Sequence, residues 1–270
     1  EILRCLVGSE MCIRDRTWYR SDDQLPDIDD YDIIKGGRTY RYFDKEVLYP
    51  FGYGLTYSRF VYSELSAELI DNRKLRISFL VQNRGERVSD EVAQVYGSAP
   101  KSRVKKPLKQ LLGFRRLKDM QPGETRRAEF EIPVEEFRFY DVISRTMMVE
   151  EGNYRIYAGP SSAEASVEAI VFIPGRKTGL RDMKKRISPD HYDDYENVCL
   201  TEGHFGYAAV VPVRAEEPGV LIYRDCAMKP ELRTLYLHLK SEKGGSLEVL
   251  VNGKKAGESV SYTHLTLPTN

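Results

Sequence analysis

The sequence predicts a mostly β chain: an antiparallel β-sandwich followed by a second, smaller β domain. Apolar and polar residues alternate at period two over much of the chain after Tyr62, the pattern of strands with one buried face. Turn residues punctuate those runs at short intervals. The chain also lacks the long succession of strand and helix patterns that a (β/α)8 barrel needs.

Composition narrows the possibilities. With 270 residues, 41% hydrophobic and 30% charged, the chain can pack a core in one to three domains and reads as globular. Forty-one basic residues balance forty-one acidic ones, so the broad basic surface of a nucleic-acid binder is missing and no nucleic-acid partner is expected. Lys101, Arg103, Lys105, Lys106 and Lys109 form a local basic cluster, broken by Pro107. It reads as a solvated strand edge or loop. No apolar run is long enough to span a bilayer, so no membrane partner is expected. The N-terminus shows no secretory core, because Arg4 interrupts its longest apolar piece. Localisation stays unassigned. Cys5, Cys12, Cys199 and Cys226 lack metal-site spacing, and His191, His204, His238 and His264 are scattered. Neither a metal nor any other cofactor is expected.

Taken in order, residues 1–16 (EILRCLVGSEMCIRDR) and 259–270 (SVSYTHLTLPTN) resemble translated sequencing-adaptor tails and are read as non-native. A closing strand at 262–267 is the alternative. Residues 17–36 are rich in Asp and hold Pro26, which reads as extended loop. A calcium loop counted from Asp27 fails, since Asp32 stands where the turn glycine belongs and Arg38 where the bidentate Glu belongs. Asp22, Asp23, Asp29 and Asp30 are read as solvated loop acids rather than catalysts. From residue 40 to 60 come Tyr40, Tyr42, Phe43, Tyr49, Phe51, Tyr53, Tyr57 and Phe60, interleaved with Pro50, Gly52 and Gly54. This reads as a connector pressed against neighbouring domains, with glycines where backbones approach closely. An interdomain hydrophobic seam is preferred over direct stacking on a ligand.

Strands follow. Leu75, Ile77, Phe79 and Val81 share one face, as do Ala128, Phe130 and Ile132, and Tyr154, Ile156 and Ala158. Turns are expected at Asp71 with Asn72, at 83–85, at 121–124 with Pro122 and Gly123 central to a type II turn, and at 151–153. Short strands so spaced make a sandwich of the immunoglobulin or fibronectin III kind. Residues 163–190, with Pro174, Gly175, Gly179, Pro189 and a basic run, read as a linker. The second β domain is placed at 191–258, where Val220 and Ile222, then Leu235, Leu237 and Leu239, then Leu247, Val249 and Val251 alternate with polar residues. Asn252 and Gly253 make a hairpin turn.

Particular motifs say more. GRTYRYFDKEVLYPFGYGLTYSRF at 37–60 resembles the end of the second domain of family 3 glycoside hydrolases. DEVAQVYGSAP, KPLKQLLGFRRL, QPGETRRAEFEIP, FRFYD and EEGNYRIYAGPSS follow in the order of the fibronectin type III-like domain that closes such enzymes. The resemblance implies that residues 17–61 end an α/β sandwich domain and form the connector, and that 62–162 are the fibronectin type III-like domain. It also implies a parent enzyme hydrolysing β-glucosides or β-xylosides. In that family a barrel Asp is the nucleophile and the acid/base is often a Glu on a second-domain loop. No residue of this chain matches either position, so no catalytic residue is assigned and the chain alone is expected to be inactive. The implied partners are an oligosaccharide or β-glycoside, met through the parent enzyme, and the upstream catalytic domains.

YDDYENV at 192–198 and the stretch at 219–257 resemble carbohydrate-binding modules of the family 6 jelly-roll type, cut before their last strands. That resemblance implies sugar stacking by Tyr192, Tyr195, Phe205, Tyr207 and Tyr223, although core or edge packing is the plainer reading of most of these rings. A different class of function is a stand-alone carbohydrate-binding or adhesion protein of two β domains. The connector discriminates: folded compactly it favours that protein, and an exposed apolar patch favours the hydrolase.

Overall fold

A computed structural model describes residues 18–25, 32–99, 101–164, 166–202, 208–229, 237 and 246–259. The tail reading for 1–16, nearly all of that for 259–270, and Leu235, Leu239, Phe205 and Tyr207 fall outside the described residues. The chain divides into two compact units, Glu1–Asp141 with Thr146–Lys177, and Val142–Arg145 with Thr178–Asn270. No helix among the described residues is long and apolar enough to cross a membrane.

In the first unit a two-stranded ribbon pairs β1 (Trp18–Tyr19) with β2 (Val47–Tyr49), and one helical turn occupies Thr39–Tyr42. The sandwich follows. Its strands are β3 (Phe60–Ile70), β4 (Lys74–Asn83), β5 (Ser89–Ser98), β6 (Gln110–Met120), β7 (Thr125–Pro133), β10 (Gly152–Gly159) and β11 (Val167–Ile173), with β8 (Phe139–Asp141) and β9 (Thr146–Met148) forming a small hairpin. One sheet runs β3-β4-β7, the other β11-β10-β5-β6, with antiparallel neighbours throughout. The fold class read from the period-two runs is the one observed.

Each anticipated face is buried. Leu75, Ile77, Phe79 and Val81 point inward from β4, Ala128 and Ile132 from β7, and Tyr154, Ile156 and Ala158 from β10. Burying each large aliphatic or aromatic side chain of this set contributes about 1.5–3 kcal/mol relative to exposure. Across the β4·β7 ladder Leu75 opposes Ile132, Ile77 opposes Phe130, and Phe79 opposes the small Ala128. Phe79 also stacks between Tyr62 and Phe130, at 5.8 and 5.9 Å between ring centroids.

Turns obey local chemistry. Asp71 and Asn72 both have positive φ, and the Arg73 amide donates to Ile70 O, closing a type I′ hairpin. Gly123 sits at φ +83° with the Glu124 amide on Gln121 O, as a type II turn requires. Asn83, expected in a turn, is instead a fully buried end of β4. Its side-chain amide donates to the carbonyls of Arg87 and Met120, and its oxygen accepts from the Gly85 amide and Ser58 Oγ. A buried amide is stable only when so satisfied.

The linker expected at 163–190 begins later. Residues 167–173 form β11, which pairs with β10 from Gly152↔Ile173 to Ala158↔Val167 and closes the sheet. Its sequence, VEAIVFI, is apolar on both faces near its end, so period two is blurred there. Val171 and Ile173 enter the core while Ile170 and Phe172 stay exposed.

The second unit is a set of short antiparallel pairs: β12 (Asp194–Glu196) with β15 (Val220–Ile222), β13 (Val198–Glu202) with β14 (Ala208–Pro212), and β16 (Leu247–Val251) with β17 (Lys254–Ser259). Asn252 and Gly253, both with positive φ, make the last hairpin's turn as anticipated.

Candidate functional site

β5 has both faces buried from Ala93 to Ser98. Its inward residues Ala93 and Val95 are core; its outward residues Gln94 and Tyr96 are covered because the connector lies on that side of the sheet, and Ser98 lies beside the Tyr157 hydroxyl. Tyr40 stacks on Phe51 at 4.1 Å between centroids, nearly parallel, and meets the Tyr96 ring edge-on at 6.3 Å. The Tyr40 hydroxyl accepts the Leu111 amide, and the Leu108 amide donates to Arg41 O. At the turn Pro50 to Tyr53, Gly52 has φ +81°, and a Cβ placed there would stand 2.1 Å from Gln94 Oε1. Only glycine fits so close an approach. Gln94 Nε2 donates to Gly52 O at 3.0 Å and to Pro160 O at 2.5 Å, while its Oε1 accepts the Tyr96 hydroxyl at 2.5 Å. Two separated motifs of the sequence, YPFGYG and DEVAQVY, are therefore the two halves of one contact.

The connector's other half faces water. Trp18 is 64% exposed, Leu55 90% and Tyr57 86%, whereas Tyr40 is 8% exposed. Leu48, Tyr49 and Tyr53 are exposed as well, and Trp18, Tyr49 and Tyr53 form a chain of rings with centroids 6.1 and 5.0 Å apart. Residues 55–58 alternate: Thr56 Oγ1 bonds Ser89 Oγ, Ser58 Oγ donates to Asn83, and Leu55 and Tyr57 point away. The connector is thus neither wholly compact nor wholly bare. Its inner side is seated on the sandwich and its outer side presents large apolar groups.

The basic cluster lies in a loop, as anticipated, with Lys101 and Lys105 exposed, but Arg103, Lys106 and Lys109 are partly buried. Arg103 Nη2 pairs with the buried Asp141 carboxylate at 2.8 Å, Lys105 Nζ donates to Ile34 O, and Lys109 Nζ donates to Ser162 O. Lys106 Nζ stands 3.1 Å from the centroid of the Phe139 ring, and burial pushes its amine down to about 8 against the attraction of Glu150. These cations pin a loop onto the connector and the β8–β9 hairpin. The sequence offered one sign of this, since Pro107 breaks the strand pattern where the loop must turn.

Of the proposed sugar-stacking tyrosines, Tyr192 and Tyr195 lie together, half-buried, with ring centroids 5.1 Å apart and planes tilted by 56°. Tyr223 is fixed differently. Its hydroxyl donates to Pro189 O, the Arg181 guanidinium lies over its ring, and burial pushes its phenol up to about 12. Arg181 is itself buried and bonded to Asp193 Oδ2 at 2.7 Å, a carboxylate oxygen that also accepts the Arg224 amide. Among the described residues no cluster of three or more His, Cys, Asp or Glu could hold a metal ion.

The architecture defines a class: a fibronectin type III-like sandwich carrying an aromatic connector on one sheet. Residues 91–162 match the family model of the fibronectin type III-like domain. The chain is 37% identical over 155 residues to a xylan 1,4-β-xylosidase of Xylanibacter ruminicola, a match covering 57% of this chain and 17% of that protein. It is 30% identical over 234 residues to β-glucosidase A of Butyrivibrio fibrisolvens, covering 72% and 27%. The crystal structure of a GH3 β-glucosidase from Bifidobacterium adolescentis superposes with a TM-score of 0.55 at 25% identity, over 61% of this chain and 26% of that one. The resemblance to the C-terminal region of family 3 glycoside hydrolases is borne out over about half the chain. The chain spans only about a quarter or less of these relatives.

Proposed function

We propose that this chain is the C-terminal accessory portion of an enzyme that hydrolyses β-glucosides or β-xylosides, supplying scaffold and docking surface rather than catalytic carboxylates. The two-sided connector carries this reading. Its inner rings are seated on the sandwich, while Trp18, Leu55 and Tyr57 are exposed on the other side, a concentration of apolar groups typical of an interface. Retaining glycoside hydrolysis needs two carboxyl groups about 5–5.5 Å apart that face the sugar. The buried carboxylates Glu91, Asp141 and Asp193 are each engaged internally, with Tyr62, Arg103 and Arg181. The purified chain is expected to hydrolyse neither aryl β-glucosides nor aryl β-xylosides. Turnover above the buffer rate, persisting through successive purification steps, would sink this reading.

A second reading, sugar binding by the second unit, is favoured by the neighbouring Tyr192 and Tyr195 rings. Titration with xylo- and cello-oligosaccharides is then expected to give a saturable signal that Tyr192→Ala abolishes. A flat titration would dismiss it.

A further inference from the structure

We infer that Gln94 is the positioning residue that sets the connector on the sandwich and thereby aims its exposed rings. The geometry is specific to a carboxamide. Its single oxygen is occupied by the Tyr96 hydroxyl, and its nitrogen donates to Gly52 O in the connector and Pro160 O in the turn after β10. Burial raises the Tyr96 phenol, so that hydroxyl keeps its proton and stays a donor. This orients the amide, because the oxygen is claimed and both N–H groups are left to face carbonyls. The same two segments meet a second time, where the Ser162 amide donates to Phe51 O. Ala93 and Val95 hold the core on the opposite face of β5, and the polar group at 94 ties the sandwich, through Tyr96 and Pro160, to the connector at Gly52.

What the aimed rings meet rests on the preceding proposal; the positioning itself does not. The chain alone therefore tests it, by site-resolved hydrogen exchange. In Gln94→Ala, the Tyr53 and Ser162 amides are expected to exchange about tenfold faster, as loss of buried hydrogen bonds at a local opening implies. The Ile77 amide, in the core ladder, is expected to stay unchanged. Gln94→Glu keeps the acceptor and loses both donors, so it is expected to match or exceed the alanine effect. Gly52→Ala should speed the same amides in both backgrounds, because φ +81° strains an alanine whatever the space, and somewhat less in Gln94→Ala, where the colliding oxygen is gone. Trp18, the single tryptophan, should become more quenchable by acrylamide in Gln94→Ala. Unchanged exchange at Tyr53 and Ser162 would overturn the inference. So would loss of cooperative unfolding in both Gln94→Ala and Gln94→Met, since Gln94 would then be a core support. Hydrolysis by the isolated chain would remove the function proposed above and leave this result standing.

Discussion

Tyr62 donates its hydroxyl to Glu91 Oε1 at 2.5 Å, joining β3 to β5 at a buried position. Burial raises the Glu91 carboxyl, the Tyr62 hydrogen bond opposes that rise, and the nearby Glu164 charge adds to it. A carboxyl whose folded pKa lies above its unfolded value binds protons more tightly in the native state. Its stability contribution is full below the unfolded pKa and is lost as pH climbs through the folded one. Urea titrations from acid to neutral pH are expected to show a decline that Glu91→Gln flattens. At neutral pH, Tyr62→Phe should cost about 1.5–3 kcal/mol, and less in the Glu91→Gln background, where the bond is neutral. Equal costs in both backgrounds would show the carboxylate to be irrelevant.

Arg103 and Asp141 make the buried ion pair that fastens the basic loop to the β8–β9 hairpin, with the carboxylate wholly out of solvent. Removing one partner of such a pair typically costs about 3–5 kcal/mol, because the other is left buried and charged. Arg103→Met is expected to fall in that range by chemical denaturation. The double variant Arg103→Met with Asp141→Leu should recover much of the loss. A double variant as unstable as the sum of both singles would exclude coupling.

Lys106 gives a profile of opposite sign. Desolvation lowers its amine from 10.5 to about 8, and the Glu150 charge pulls the other way. Between about pH 8 and 10.5 the unfolded chain therefore holds more protons than the native one, and stability rises with pH. The Phe139 ring beneath the ammonium offsets part of the burial cost. Lys106→Met is expected to level this alkaline rise and to be near neutral in stability at pH 7. An unaltered alkaline slope in the variant would place the titrating group elsewhere.

The outer face of the connector makes a third kind of prediction. Leu55→Ser combined with Tyr57→Ser removes two exposed groups that touch little, so thermal stability should change within about 0.5 kcal/mol. Binding of a hydrophobic dye such as ANS is expected to fall. Undiminished dye binding would mean that the apolar surface lies elsewhere on the chain.

The sandwich was legible because its strands are wet on one face, so Leu75 to Val81 announced themselves by alternation. β11 was not, since Ile170 and Phe172 are as apolar as Val171 and Ile173 and periodicity fails where both faces are apolar. The connector's aromatic content was plain, but which rings are seated was not: Tyr40 and Tyr57 read alike, and only the approach of Gly52 to Gln94 separates inner from outer. Gln94 itself could be seen only as a polar residue in an apolar strand. The basic segment is the loop its sequence indicates, with Lys101 and Lys105 exposed; the engagement of Arg103, Lys106 and Lys109 was not legible, because composition counts charges and says nothing of the carboxylates, carbonyls and rings that receive them.

Arg181 and Asp193 hold the second unit's best-defined contact, and Tyr223 reports on it. The guanidinium is buried between the Asp193 carboxylate and the Tyr223 ring. The phenol is pushed up to about 12, chiefly by burial, with the Arg181 charge opposing and the Asp190 and Asp193 charges adding. Tyr223→Phe should therefore remove one tyrosine from the late part of the native absorbance titration, a part that the raised Tyr62, Tyr96 and Tyr154 share, and its unfolding cost should be about 1 kcal/mol for the lost bond to Pro189 O. Arg181→Met removes the buried cation that faces Asp193 and is expected to cost about 3–5 kcal/mol in that unit. It should also change the late ionisation, because the charge that opposed the rise is gone while Asp190, Asp193 and Tyr192, which raise it, remain. Loss of the Tyr223 increment from the ordinary range near pH 10 rather than from the late phase, with no change in Arg181→Met, would show that the ring is open to water and would return Tyr223 to the sugar-stacking candidates.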